Sequence, residues 1–299
     1  MSAAVSCDDV LGRLAEGIRR LTTSEAWTAW LRVQSRFHAY SFGNSVLIGL
    51  QRPEATQVAG FHRWKSLGRS VRKGSRGIAI LAPVVRRLAV RDDDTDEVAI
   101  VAAGPAAFRV VHVFDVADTD GRALPAVPCH PLRGDAPAAL FERLAAVGEN
   151  HGFGVGLDAM ADSRANGDTA FGDRRIRVRD TLAPAQRVKT LAHELGHALL
   201  HEDGTTERSL AELEAESIAF VVCAAVGIAA DDYSFGYVAT WMDGDAGAAE
   251  TALRASGSRI TGAARTVLDE LAGCGDHSDG GSSSAVAGAA EGSEPTNVW

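Results

Sequence analysis

The sequence predicts an α+β protein of two domains, the second built around a long amphipathic helix. Three observations carry this. Over residues 8–120 the hydrophobic spacing switches from helical to strand periodicity. A proline-rich stretch without periodicity follows at 117–137, with Pro125, Pro128, Pro131 and Pro137. Beyond it an amphipathic segment carries His193-Glu194-Leu195-Gly196-His197. A chain of 299 residues can bury two cores. The expected division is a first domain over 1–120, a linker over 121–137, a second domain over 138–272 and a disordered Gly/Ser/Ala-rich tail over 273–299.

The first domain opens on helix. Residues 8–36 place Leu11, Leu14 and Ile18 on one stripe, with a break at Thr22 to Ser24. Residues 44–51 read as a short helix stopped by Pro53. From Arg69 the pattern turns to strands: 69–72, a Lys73-Gly74 turn, then 77–81. The runs 85–90 and 98–103 flank the acidic turn 92–97 as a hairpin, and 107–116 is a further strand. In the second domain a helix is expected over 138–149. Short strands follow at 152–158 and 174–179, around an Asn166-Gly167 turn. Two helices carrying the site come next, and a last helix spans 246–272. The strand just before the histidine helix is expected to offer the edge against which an extended peptide lies.

Composition sets the compartment. Hydrophobic residues at 46% and charged residues at 23% are ordinary for a soluble globular protein. No apolar run reaches 18 residues, so no membrane partner is expected. The N-terminus lacks a basic segment of the secretory kind. Cys7, Cys129, Cys223 and Cys274 are scattered without a Cys-x-x-Cys pair, which fits a reducing compartment, the cytoplasm.

His-Glu-x-x-His on a helix has a mechanism behind it. Imidazoles four residues apart leave one face and can hold one zinc ion, and the glutamate between them can act on water beside that ion. Val188, Leu191, Leu195 and Leu199 make the helical stripe, and Pro184 suits its first position. One Zn2+ per chain on His193 and His197 is therefore expected, with Glu194 as general base. A catalytic zinc needs a third ligand. His201 lies eight residues from His193, about 12 Å along the helix, and reads as a polar residue at a fraying end. On the next helix Glu212 and Glu216 share a face while Glu214 points elsewhere. Glu212 is the expected ligand and Glu216 the acceptor that orients a histidine, the exchanged assignment staying open. Ser209 with Glu212 also reads as a capping box, which would give Glu212 an ordinary structural role.

The net charge of −9 hides a segregation. Residues 32–91 hold twelve Lys or Arg and one acid, Glu54, for +11; residues 121–299 hold 14 basic and 26 acidic side chains, for −12. A basic block on an acidic chain points to a polyanion. Within it Arg63, Lys65, Arg69, Arg72, Lys73 and Arg76 alternate with Phe61, His62 and Trp64, and Phe37, Tyr40, Phe42 and Asn44 lie just upstream. Aromatics in a cationic setting suit single-stranded DNA, with Tyr40, Asn44, Trp64 and the six cations as candidate contacts.

The residues also resemble a known family. The stretch Phe37-His-Ala-Tyr-Ser-Phe-Gly-Asn-Ser45 is followed by Gln51-Arg-Pro53, Val58-Ala-Gly60, Trp64, Gly68-Arg69, Val71-Arg-Lys-Gly74 and Gly77-Ile-Ala-Ile80. Together with Val113-Phe-Asp-Val116 they are similar to the N-terminal single-stranded-DNA-binding domain of ArdC-type antirestriction proteins. His193 to His197 followed by Glu212 to Phe220 is similar to the ImmA/IrrE-type zinc metallopeptidase domain, a zincin-like fold. The resemblance implies plasmid- or phage-associated biology, binding to single-stranded DNA, zinc on His193, His197 and Glu212, and Glu194 as general base. A peptidase with a protein substrate, a non-catalytic DNA-coating protein with a structural or vestigial zinc site, and a regulatory protease that cleaves a repressor all fit these residues.

Overall fold

The computed structural model describes residues 6–91, 98–124, 137–160, 164–229, 235 and 246–273, without the side chains of 85–91, 98–106 and 246. The expected turn at 92–97, linker residues 125–136 and tail residues 274–299 lie outside the described residues. In chain order the helices are α1 (Cys7–Arg19), α2 (Ser24–Arg36), α3 (Phe42–Gln51), α4 (Phe61–Ser66), α5 (Pro137–Asn150), α6 (Pro184–Leu200), α7 (Arg208–Val226) and α8 (Ala246–Gly273). The strands are β1 (Val58–Gly60), β2 (Arg69–Val71), β3 (Ile78–Arg91), β4 (Val98–Asp115), β5 (Thr119–Gly121), β6 (Gly154–Asp158), β7 (Gly167–Ala170) and β8 (Arg175–Arg179). Among the described residues no helix is long and apolar enough to cross a membrane.

The chain forms two compact units. Among the described residues, one takes those up to Gly17 and Val46–Ala123; the other takes Ile18–Ser45 and those from Leu124 onward. The α+β class is as the sequence predicts. The first unit centres on an antiparallel sheet in the order β1-β4-β3. The four strands expected at 77–81, 85–90, 98–103 and 107–116 are in fact two long ones, β3 and β4, paired from Ile78↔Val113 out to Arg91↔Val98. A bulge near Val84 and Val85, opposite Pro105, interrupts the ladder where proline has no N–H to give. β2 pairs with β5 in a separate ribbon. On α1 the buried stripe is Val10, Leu14 and Ile18, and Leu11 is exposed. Gly17 lets α1 lie against α3, since a Cβ there would meet Leu50 and, at 2.9 Å, Val46.

Two polar groups, one buried and one half-buried, hold the sheet of this unit in place. The Asp115 carboxylate accepts from the backbone N–H groups of Thr56 (2.8 Å), Gln57 (3.2 Å) and Ala117 (2.8 Å). The Gln51 amide donates to Leu47 and Ala79 carbonyls and accepts from Ala79 N–H, tying α3 to β3.

The second unit carries a mixed sheet in the order β6-β8-β7, with β6 parallel and β7 antiparallel to β8. The strand just before α6 is therefore the central one, contrary to expectation. Its buried Ile176 and Val178 need cover on the core side, and α6 packs there. The edge beside α6 belongs instead to β7, a four-residue strand too short and too polar to show in the sequence pattern. α5 ends on Gly152, at φ +79, where the Phe153 N–H donates back to the Gly148 carbonyl. α2 belongs to this unit too. Its buried Trp27 donates to the Ser217 hydroxyl on α7 at 3.0 Å, and Trp30 donates to Ser45 at 2.9 Å. Trp30 also stands edge-on to Phe42, whose ring fills the space a Cβ at Gly257 would need on α8.

Candidate metal centre

Helix α6 begins on Pro184, which has no N–H to leave unpaired there, and buries Val188, Leu191 and Leu195 completely. That fixes the helix's rotation and turns His193 and His197 the other way. Gly196 then lets α7 approach: a Cβ at Gly196 would stand 2.8 Å from the Ala215 Cα. The close crossing carries Glu212, one turn before Ala215, over the two imidazoles. His193 Nε2 and His197 Nε2 are 3.1 Å apart. Glu212 Oε2 lies 3.4 Å from the first and 3.7 Å from the second. These ligand atoms lie within 4.8 Å of one another, a spacing that fits one divalent ion. Two imidazole nitrogens and one carboxylate oxygen suit zinc with a position left open.

α7 starts at Arg208, so the expected capping box does not form. Glu207 is the capping residue, its carboxylate accepting from the Leu210 N–H at 3.2 Å. Glu212 is thereby relieved of a capping role. Glu216 Oε2 accepts from His193 Nδ1 at 3.0 Å, the arrangement that leaves Nε2 for an ion. Burial works against a charged His193, but its bonds to Glu212 and Glu216 outweigh this and raise its pKa to about 10. The His193 imidazole, and the His197 imidazole beside it, hold Glu212 well below the usual carboxylate range.

Glu194 is buried beside this cluster. Burial pushes its pKa up, opposed by His193, by the Thr169 hydroxyl and by His197. Thr169 Oγ1 donates to Glu194 Oε2 at 2.8 Å, so strand β7 holds the Glu194 carboxylate. Gly167 makes that approach possible: a Cβ there would meet Thr190 Cγ2 at 2.6 Å and Glu194 Oε1 at 2.9 Å. A cleft of about 620 Å³ opens over the cluster, bounded by β7 on one side and by Lys189 and Arg208 on the helices.

His201 departs from its expected role as a fraying end. It is 5% exposed, with Nδ1 3.2 Å from His197 Nδ1 and Nε2 3.1 Å from Glu214 Oε2. Glu214 does point away from the cluster, as expected, but into a fully buried site where it meets Ser256 and Arg259 of α8. Sequence reasoning missed this group. Its signal was a third histidine at the same four-residue step, passed over because His201 cannot reach the ion.

The candidate DNA contacts fall into three kinds. Arg63, Lys65, Lys73 and Arg76 are exposed on the first unit. Arg69 and Arg72 are committed to the β2–β5 ribbon. Arg69 donates to Thr119 Oγ1 (2.7 Å), to the Thr119 carbonyl (2.9 Å) and to the Arg122 carbonyl. Arg72 donates to the Ala117 carbonyl and pairs with Asp120 at 3.1 Å. Trp64 is 2% exposed and donates to the Phe114 carbonyl at 2.8 Å, so it is a core residue. Tyr40 is likewise buried, in the second unit, where burial raises its pKa; Asn44 is half-buried there. The aromatic that faces solvent among the cations is Phe61, 51% exposed.

A metallopeptidase-like centre is what the second unit presents: a His-Glu-x-x-His helix, a carboxylate from the helix that follows, and an edge strand against the glutamate. Residues 7–114 match the N-terminal domain of anti-restriction factor ArdC, and residues 155–229 match the IrrE N-terminal-like domain of the M78 peptidases. The chain thus joins a segment that matches the ArdC N-terminal domain to one that matches the IrrE N-terminal-like domain. Among solved structures it is similar in fold to the antirestriction ArdC protein from plasmid R388. The metal-free form matches at 17% identity and TM-score 0.53, over 87% of this chain and 98% of that one. The Mn(II)-bound form matches at 18% identity and TM-score 0.53, over 86% and 97%. None of the curated proteins matches the chain.

Proposed function

We propose that this protein binds single-stranded DNA through its first unit, and that its second unit is a zinc-dependent peptidase serving an antirestriction role in the cytoplasm. The observation that carries the enzymatic part is the convergence of His193, His197 and Glu212 on one point with Glu194 held beside it. When bound there, a divalent ion supplies Lewis-acid chemistry to the cleft. His193 and His197 offer Nε2, and Glu212 offers a carboxylate oxygen. Glu194 takes the proton from the attacking water and delivers it to the leaving amine as the C–N bond breaks. An extended peptide is positioned along β7, the terminal strand of its sheet among the described residues, by main-chain hydrogen bonds. For the ion itself, the R388 ArdC protein with Mn(II) bound makes manganese the alternative to zinc.

The DNA-binding reading rests on the exposed cations Arg63, Lys65, Lys73 and Arg76, and on the exposed Phe61 on the same helix as Arg63 and Lys65. Polyanion binding needs nothing more specific than such a patch, and base stacking needs one exposed ring.

Glu194→Gln is the deciding experiment. The variant is expected to keep metal and DNA and to lose peptide cleavage. If it protects incoming DNA in cells as well as the natural protein does, hydrolysis is not the function and the protein acts by coating DNA.

A further inference from the structure

The two histidine ligands are held in different ways. His193 Nδ1 meets a carboxylate directly, Glu216 Oε2 at 3.0 Å. His197 Nδ1 meets a second imidazole, His201 Nδ1, at 3.2 Å. His201 closes α6, its backbone N–H donating to the His197 carbonyl at 2.9 Å, so its ring is set one turn beyond His197 on the same face. His201 Nε2 then meets Glu214 Oε2 at 3.1 Å. Glu214, 0% exposed, is surrounded by donors: Ser256 Oγ at 2.6 Å, Arg259 Nε at 3.1 Å and Arg259 Nη2.

The positions of the hydrogens follow from the outer end inward. A buried carboxylate under a guanidinium fork stays ionised and can only accept. His201 Nε2 therefore carries a hydrogen. With one hydrogen on that ring, Nδ1 is a lone pair. The hydrogen between the two Nδ1 atoms then belongs to His197, and His197 Nε2 is left bare, facing His193 Nε2 and Glu212. A hydrogen placed the other way round would put N–H where the ion needs a lone pair.

We infer that His201, Glu214 and Arg259 form a positioning chain that fixes His197 in its Nε2-ligating tautomer, which makes α8 part of the metal centre. The inference rests on the metal-binding reading above. Ser256 and Arg259 lie outside residues 155–229, the extent of the IrrE N-terminal-like match, so the centre depends on a helix beyond that match. None of these residues touches the ion or substrate; they act through His197.

Zinc affinity of the full chain, measured by chelator competition, tests this. His201→Phe and Arg259→Met are expected to weaken zinc binding by about tenfold or more, the usual effect of losing a partner behind a ligand. His201→Gln is expected to restore most of it, because its amide oxygen can accept from His197 and its N–H can donate to Glu214. In the metal-free natural protein, 15N NMR should find the hydrogen of His197 on Nδ1. Variants that bind zinc as tightly as the natural protein, or a His197 hydrogen on Nε2, overturn the inference and leave the metal site standing. If the natural protein binds neither zinc nor manganese, the metal reading itself falls. Should His201→Phe fail to fold, the half-exposed Arg259 and the tautomer measurement decide the matter.

Discussion

The Thr169 hydroxyl donates to the Glu194 carboxylate across 2.8 Å, from a strand the sequence did not announce to a base that it did. A donor on a carboxylate favours its charged form, and burial opposes it. Thr169→Val should therefore raise the Glu194 pKa further. The acidic limb of the pH profile of the proposed peptide cleavage is expected to move to higher pH, with metal content unchanged. An unmoved limb would mean that Thr169 does not act on the base.

Gly167→Ala probes the same contact by volume. The added methyl must displace either Thr190 Cγ2 or the Glu194 carboxylate. Overpacking of this kind costs about 1–3 kcal/mol. We expect a lower melting temperature and a loss of turnover beyond what the stability change explains, with the metal retained. Normal turnover would show that β7 can retreat without disturbing Glu194.

Metal binding should depend on pH in a defined direction. His193 must shed the proton that Glu212 and Glu216 hold on it up to about pH 10 before Nε2 can ligate. Affinity is expected to rise with pH by up to about tenfold per unit below that value. In the metal-free fold the sign reverses. The raised pKa contributes stability that is fully present below pH 6.5 and lost as pH rises through about 10. Isothermal titration across pH 6–9 measures the first effect, and melting of the metal-free protein measures the second.

On the first unit, reversing Arg63, Lys65, Lys73 and Arg76 to Glu should weaken single-stranded DNA binding and flatten its salt dependence without changing stability. Neutralising Arg69 or Arg72 should instead lower the melting temperature, because Arg69 holds β5 through the Thr119 carbonyl and Arg72 holds the turn before it through the Ala117 carbonyl. Trp64→Ala should cost about 3–5 kcal/mol as a core truncation. A fourfold reversal that leaves DNA affinity intact would remove the basic patch from the binding surface.

Much of the site was legible because its chemistry is local. His193, Glu194 and His197 share one helix turn and a half, and the spacing alone puts both imidazoles on one face. Glu212 was legible as a candidate because it recurs with Glu216 at the same step. What was not legible is long-range. β7 is four residues held by pairing with β8 and by contact with Glu194, and its own sequence, Gly-Asp-Thr-Ala, has no strand character. The use of His201 depends on Ser256 and Arg259, some fifty residues downstream. Arg69 and Trp64 looked like ligand contacts because composition cannot distinguish a cation or ring turned to solvent from one spent on a neighbouring carbonyl.

The path of the chain through its two units has a further meaning. It passes from one to the other after Gly17, returns after Ser45, and leaves again after Ala123. The helix bearing Trp27 is therefore lent by the ArdC-matched segment to the unit that holds the histidines. No single cut can separate the two units into intact halves. A recombination event that exchanged the N-terminal segment between relatives would also exchange a wall of the unit that holds the histidines, so the two parts are bound to diverge as one inheritance.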